Sequence, residues 1–252
     1  MSPLYFTRAS LCRTAPARAL RSMLLPSDDS ARLMAGHKLV WTLFGDSPER
    51  ARDFLWREAD RGVYYLLSRR VPVDRHGLFE LDEPKPFAPA LAAGDRLAFT
   101  LRVNATVARG GGPGRRGKPC DIVMDALHSI DRTARRAARA RVIREAARRW
   151  LVAQGTKSGF SLAAADPAAE IDRTGGDGPD GGRDGDDGGT LLRVLGHRTM
   201  RIDRQGSLAA VGVLDLEGVL VVQDPDCFLE AVARGFGRAK AFGCGLMLIR
   251  RV

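Results

Sequence analysis

From Asp95 to Asn104 the chain reads Asp-Arg-Leu-Ala-Phe-Thr-Leu-Arg-Val-Asn, with large apolar residues at Leu97, Phe99, Leu101 and Val103 and smaller or polar ones between them. Side chains along a strand alternate between its two faces, so this run is a strand with one face buried. A half-buried strand needs a sheet whose apolar face is covered by another layer, which restricts the chain to a small set of layered folds. Similar signals recur on both sides of it. Leu4–Ser10 reads as a first strand. Phe54-Leu-Trp-Arg57 and the near-continuous apolar run from Gly62 to Arg70 read as strands around a turn, and Leu78–Leu81 as a short one. Thr199–Ile202, a hairpin over Ala209–Val222 turning near Glu217-Gly218, and Leu246–Arg251 supply the later strands. Helices are predicted where apolar residues return at helical spacing: Leu33–Leu43, started by the Ser and Asp residues before Ala31 and stopped by Gly45-Asp-Ser-Pro48; Thr133–Leu151; and Pro225–Arg234, opened by Asp224 or Asp226.

Each half therefore runs strand, helix, two strands and more, which is the order of an α+β sandwich. The expected fold is two tandem ferredoxin-like (RRM-like) domains with antiparallel sheets. Pro84-Lys-Pro-Phe-Ala-Pro89 is too rich in proline for a helix or a central strand. The boundary is placed there, giving domains 1–90 and 91–252. Within the second, 175–189 is almost all Gly and Asp with no apolar residue, and reads as a flexible insertion.

The 252 residues carry a net charge of +10, an excess that favours a polyanionic partner. Arginine far outnumbers lysine, which suits bidentate phosphate binding but equally fits a GC-rich coding sequence. The four cysteines, Cys12, Cys120, Cys227 and Cys244, form no Cys-x-x-Cys pair, so neither zinc nor a disulfide framework is expected and a cytoplasmic setting fits. There is no apolar run long enough to span a membrane and no secretory h-region. No cofactor and no metal are expected.

Three stretches carry chemistry. Gly235-Phe-Gly-Arg-Ala-Lys-Ala-Phe-Gly-Cys-Gly245 combines glycines, which let a backbone approach a phosphate, with Arg238 and Lys240. It follows a helix and opens a strand, the reverse of a nucleotide-binding glycine loop. Its candidate contacts are Gly235, Gly237, Arg238, Lys240 and Gly243; the plain alternative is a tight turn. On the helix over Thr133–Leu151, Ile143, Ala147, Trp150 and Leu151 form an apolar stripe, and Arg141, Arg144 and Arg148 project away from it with Glu145 the lone acid nearby. So one-sided a charge repels itself unless a polyanion lies against it. Arg115, Arg116 and Lys118 add charge in the glycine-rich loop Gly110–Lys118. Third, of four histidines, His37 sits on the first helix beside Lys38. RNA cleavage by an adjacent 2′-hydroxyl needs a group that titrates near neutrality, and imidazole is suited to it.

Taken together, Leu4–Ser10 followed by Gly36-His-Lys-Leu-Val-Trp-Thr-Leu-Phe-Gly-Asp46, the stretch Pro84–Pro89 with Gly94–Asn104, and the ending Gly235–Leu246 resemble the CasE family of CRISPR RNA endonucleases of the type I-E Cascade complex. The resemblance implies tandem ferredoxin-like domains. It implies binding of a CRISPR repeat RNA, cleavage at the base of its hairpin without a metal, and retention of the crRNA 3′ hairpin alongside the other Cascade subunits. His37 matches the family's catalytic histidine, as base toward the 2′-hydroxyl or acid toward the 5′-oxygen. Two positions depart from the family: Met34 stands where a tyrosine is frequent, and Thr42 where some members carry lysine. Lys38, Tyr5 or Tyr64 are the candidate substitutes. A noncatalytic hairpin-binding subunit of the same fold, and a general nucleic-acid-binding protein of another class, are the competing readings.

Overall fold

The computed structural model describes residues 3–12, 14, 21–45, 51–110, 117–165, 189–204 and 207–252. Twelve strands and five α-helices follow in the order β1 (Tyr5–Leu11), α1 (Arg21–Leu24), α2 (Asp29–Thr42), β2 (Phe54–Asp60), β3 (Val63–Ser68), β4 (Phe79–Leu81), β5 (Lys85–Pro86), β6 (Arg96–Val103), β7 (Thr106–Arg109), β8 (Lys118–Asp121), α3 (Ile122–His128), α4 (Arg135–Lys157), β9 (Phe160–Leu162), β10 (Leu192–Arg204), β11 (Ser207–Val222), α5 (Pro225–Arg234) and β12 (Met247–Arg251), among the described residues.

The first sheet has the order β2-β3-β1-β4, with β5 continuing the β1 edge. The second has the order β10-β11-β6-β12, with β9 on β11, and β7–β8 form a separate ribbon. Every pairing is antiparallel. Counted from the first strand of each half, both sheets read 2-3-1-4, the arrangement of a ferredoxin-like unit, so the α+β tandem expected from the element order is the observed architecture. The first sheet spans residues 5–86 and the second 96–251.

Local chemistry explains the elements. Asp28 caps α2 by accepting the Ala31 amide on its Oδ1 at 2.7 Å. Asp121 caps α3, and Asp224 caps α5 ahead of a proline in the first turn. In β6, Leu97, Phe99, Leu101 and Val103 are all buried, while Thr100 and Arg102 turn to the other face. That other face looks at the first sheet: the Arg57 Nη1 donates to Thr100 Oγ1 at 3.0 Å. One core lies between the second sheet and α3, α4 and α5, and takes in Leu55 and Leu67 of the first sheet. The other lies between α2 and the first sheet, and takes in Met200, Val213, Phe242 and Cys244 from the C-terminal half. The two halves thus complete each other's cores.

Several expectations shift. β11 runs unbroken from Ser207 to Val222, so no turn occurs at Glu217-Gly218. Glycine is needed at 218 for a close backbone approach: a Cβ there would lie 2.3 Å from the Leu191 carbonyl oxygen. The strand over Thr199–Ile202 is part of the longer β10, and the basic helix begins later and ends later than expected. Lys118 opens β8 rather than lying in a loop. Arg115, Arg116 and 175–188 of the insertion lie outside the described residues.

Candidate active site

The site is assembled around Trp56. On β2, Phe54 and Trp56 point toward α2, where Phe54 stacks on Phe44 at 4.3 Å and meets Trp41 edge-on at 5.1 Å. Trp56 is fully buried. Its indole passes between two backbones that carry no side chain: a Cβ on Gly36 would come within 2.9 Å of its Cη2, and one on Gly243 within 3.1 Å of its Cζ3. Its Nε1 donates to the Ala241 carbonyl at 3.1 Å. Trp56 therefore fixes the glycine-rich C-terminal turn against α2, although the two are some two hundred residues apart in sequence.

His37 follows Gly36 and lies at this junction. Its ring sits 5.6 Å from that of Phe242 and 6.4 Å from that of Trp41. Burial lowers its pKa; the ring's hydrogen bond to the Ala241 carbonyl works against this, while the charges of Arg52 and Lys38 add to the lowering. The imidazole is thereby biased to the neutral form. Its Nδ1 is enclosed and has no hydrogen-bond partner.

The turn carries its own strain. Ala239 takes a left-handed φ of 54° without being glycine, just before the 3-10 turn Lys240–Phe242, and Gly243 follows at φ 69°. Such conformations persist where the surroundings over-determine them, which is common at functional sites. Lys240 is half-buried, and its Nζ donates to the Arg234 carbonyl at 2.8 Å. Burial, then Arg52, then Arg234 lower its pKa.

The structure brings together His37, Lys38, Lys240 and the glycine turn. The glycines make room for protein: a Cβ on Gly235 would meet Leu55 at 2.8 Å, one on Gly237 the Val103 side chain at 2.5 Å, and one on Gly245 the Phe236 carbonyl at 2.7 Å. Packing accounts for these three, and Trp56 for Gly243, without a phosphate. Arg238 is exposed beside them, its amide donating to the Asn104 carbonyl at 3.0 Å. Tyr64 is fully buried, so its hydroxyl is out of reach of a substrate, and Met34 packs against the same core.

Arg141, Arg144 and Arg148 stand elsewhere. On β10, His197 meets Arg139 of α4 at 3.2 Å between Nδ1 and a guanidinium nitrogen, whereas Met200 joins the core beneath α2. Residues an odd number apart on a strand face opposite ways. The basic helix and His37 are thus on opposite faces of the second sheet, with β10 as its edge. Lys118 lies on the β7–β8 ribbon, exposed.

Two sets of side chains escaped the sequence. Arg52 stands just ahead of β2, two residues before Phe54, and adds its charge to His37 and Lys240. Arg102, Arg198 and Asp215 form a cluster between the sheets, Asp215 accepting from Arg102 Nε at 2.7 Å and from Arg198 Nη1 at 2.9 Å. Nothing in a single sequence distinguishes these arginines from the many others; only the register of β6, β10 and β11 pairs them. Among the described residues no three His, Cys, Asp or Glu side chains lie together as metal ligands, and no helix is long and apolar enough to cross a membrane.

These features define a tandem ferredoxin-like protein with a half-buried histidine where its first long helix meets a cationic final turn. The family model described as CRISPR-associated protein matches residues 4–251, and the chain belongs to that family, in its CasE group. It is 24% identical over 218 residues to the CRISPR system Cascade subunit CasE of Escherichia coli, covering 84% of this chain and 88% of that one. It is 29% identical over 228 residues to the CRISPR-associated endoribonuclease Cse3 of Thermus thermophilus, covering 84% and 87%. Its fold is similar to Thermus thermophilus Cse3 bound to an RNA representing a pre-cleavage complex (TM-score 0.59, 22% identity, 98% of this chain and 99% of that one) and to Cas6e from Escherichia coli (TM-score 0.52, 20% identity, 98% and 100%).

Proposed function

We propose that this chain is an endoribonuclease that binds a CRISPR repeat RNA hairpin, cuts at its base, and stays on the mature crRNA as a subunit of a Cascade complex. Membership of the CasE group supports the coarse statement, since the relatives carry the names endoribonuclease and Cascade subunit. The observation that carries the finer one is the meeting of a neutral-biased imidazole with a cationic turn, at the junction that Trp56 holds.

In this reading the 2′-oxygen attacks the neighbouring phosphorus, the 2′-O–P bond forms as the P–O5′ bond breaks, and the products end in a 2′,3′-cyclic phosphate and a 5′-hydroxyl. The nucleophile belongs to the RNA, so no metal-bound water is required. His37 takes the 2′-proton; for a ribose to reach Nδ1, the ring turns or the residues covering it give way as RNA enters, since catalytic hydrogen bonds commonly tighten only in the complex. Lys38, exposed on α2, and Lys240 offset charge on the phosphate, and Lys240, its pKa lowered by burial, is suited to protonate the leaving oxygen. The stem contacts Arg238 and, beyond β10, Arg141, Arg144 and Arg148, with Arg115, Arg116 and Lys118 as further contacts.

The domain division at 90/91 follows from the same reading, each half supplying one side of the candidate site. The noncatalytic alternative rests on Met34, which offers no acid or base, and on the burial of Tyr64. Purified protein is incubated with repeat hairpin RNA in EDTA. Cleavage to a cyclic phosphate, abolished by His37→Ala, is expected. Intact RNA bound tightly by the wild type, or unchanged cutting by His37→Ala, sinks the enzymatic reading.

A further inference from the structure

Arg52 is half-buried, and its Nη1 is shut away from solvent with no hydrogen-bond partner. A guanidinium nitrogen left in this state is costly, because its hydration has been removed and nothing replaces it. Its neighbours do not relieve it. Asp53, the next residue, is committed to Arg70, accepting from Nε at 2.7 Å and from Nη2 at 2.9 Å. Phe54, the first residue of β2, packs against Trp41 and Phe44. The groups that do feel the charge of Arg52 are His37 on α2 and Lys240 on the final turn, both titratable groups of the candidate site. Of the charged groups around His37, Lys38 on its own helix and Arg52 just ahead of β2 are cationic, and the facing turn adds Lys240 and the Ala241 carbonyl. Such a gathering of positive groups, one with an unused donor, is suited to an anion.

We propose that Arg52 is a catalytic residue: its Nη1 donates to a non-bridging oxygen of the scissile phosphate, beside His37. This deepens the cleavage reading and rests on it. Attack by the 2′-oxygen adds negative charge to the non-bridging oxygens before the P–O5′ bond is broken. Once the residues covering it give way as RNA enters, as for His37, this guanidinium donor stabilises that charge more than the charge on the ground-state diester, so its effect falls on the rate rather than on binding. Arg52 takes up no proton; the 2′-proton passes to His37 and the 5′-oxygen is protonated as it departs, so the step balances without any added reagent. The assignment also gives this chain a group that compensates for Met34, since charge stabilisation by Arg52 partly substitutes for an absent hydroxyl donor.

The test is single-turnover cleavage of a repeat hairpin RNA by wild type, Arg52→Ala, Arg52→Gln and His37→Ala. It is paired with the affinity of each for the same hairpin carrying a 2′-deoxy nucleotide at the cut. Removal of one such donor slows an enzyme by about 10²–10³-fold. Arg52→Ala and Arg52→Gln should fall in that range while binding the deoxy hairpin within about threefold of wild type, and added guanidinium ion should restore at least about tenfold to Arg52→Ala. Retained binding reports a folded protein, and rescue is not expected of a merely structural arginine. Cutting by either variant within threefold of wild type, or a loss wholly in affinity, overturns the assignment while leaving cleavage by His37 intact. If the wild type itself does not cut, the cleavage reading fails, and this inference with it.

Discussion

Gly36→Ala sets two effects of opposite sign against each other. Gly36 lies inside α2, and replacing glycine by alanine in a helix interior ordinarily stabilises by about 0.8–1.0 kcal/mol. Here the added Cβ would stand 2.9 Å from Cη2 and 3.3 Å from Cζ3 of Trp56, and 3.5 Å from Cε1 of Tyr64. Neither ring can swing away: both are buried, Trp56 is tethered through Nε1 to Ala241, and its far side is closed by Gly243. Overpacking of this kind costs about 1–3 kcal/mol, so the net effect is a destabilisation of about 0–2 kcal/mol. For a chain of this size 1 kcal/mol corresponds to about 2–4 °C in Tm. The displaced indole also shifts Ala241 and Phe242, which hold the His37 ring, so cleavage should fall by more than the loss of stability explains. Trp56→Phe removes the crowding ring and isolates the cause. In that background Gly36→Ala should turn neutral or stabilising, a coupling of about 1–3 kcal/mol in a urea-unfolding double-mutant cycle. A Gly36→Ala protein that melts higher than wild type and cuts as fast would refute the argument that Trp56 is wedged.

Because His37 is lowered from 6.5 by burial, its neutral form persists below that pH, and the acidic limb of the kcat/KM profile should lie under 6.5. Arg52→Ala removes a charge that opposes protonation, so the limb should move up; an unmoved limb would mean that His37 is not the titrating base. His197 is lowered as well, chiefly by burial, and a histidine that is harder to protonate when folded contributes stability above its unfolded pKa that is lost as pH falls toward the folded one. Thermal stability should therefore decline from about pH 6.5 downward, and less so in His197→Asn. Arg141→Ala and Arg148→Ala, both exposed, should each flatten the dependence of log affinity on log salt by up to about 0.9 if the stem crosses α4; an unchanged slope removes α4 from the interface. Asp215→Ala leaves Arg102 and Arg198 facing each other without their shared carboxylate, and should cost about 2–4 kcal/mol in urea unfolding, less than a fully enclosed pair because Arg198 is 37% exposed.

How much of this could be read from the sequence depended on whether the signal was local. The alternation in β6, the cap at Asp28 and the proline at the start of α5 are written within a few residues, and all appear as expected. The glycine at 218 shows the limit: a turn and a close approach of a distant backbone call for the same residue, and only the pairing of β11 separates them. The same ambiguity affects Gly235, Gly237 and Gly243, whose open sides are filled by Leu55, Val103 and Trp56. His37 was legible as a chemical candidate because histidines are few. Arg52 was not, because what singles it out is an empty hydrogen-bonding position, which has no sequence signature.

The candidate site forms only when both halves are folded and docked. His37 is on the first long helix, the cationic turn lies near the end of the chain, and the tether between them, Trp56, is on the second strand. Phe242 and Cys244 are buried in the core under α2 rather than in their own half, so the turn takes its strained shape against a surface that the N-terminal half provides. A sheet supplies a rigid platform, but a single ferredoxin-like unit has no second wall with which to hold a phosphate against an imidazole. The tandem arrangement solves this by letting each half finish the other's core with residues from the edge of the site. It follows that substitutions in that shared core, far from any phosphate, should be read first in the rate of cutting and only then in stability, because the position of His37 relative to Lys240 is set there.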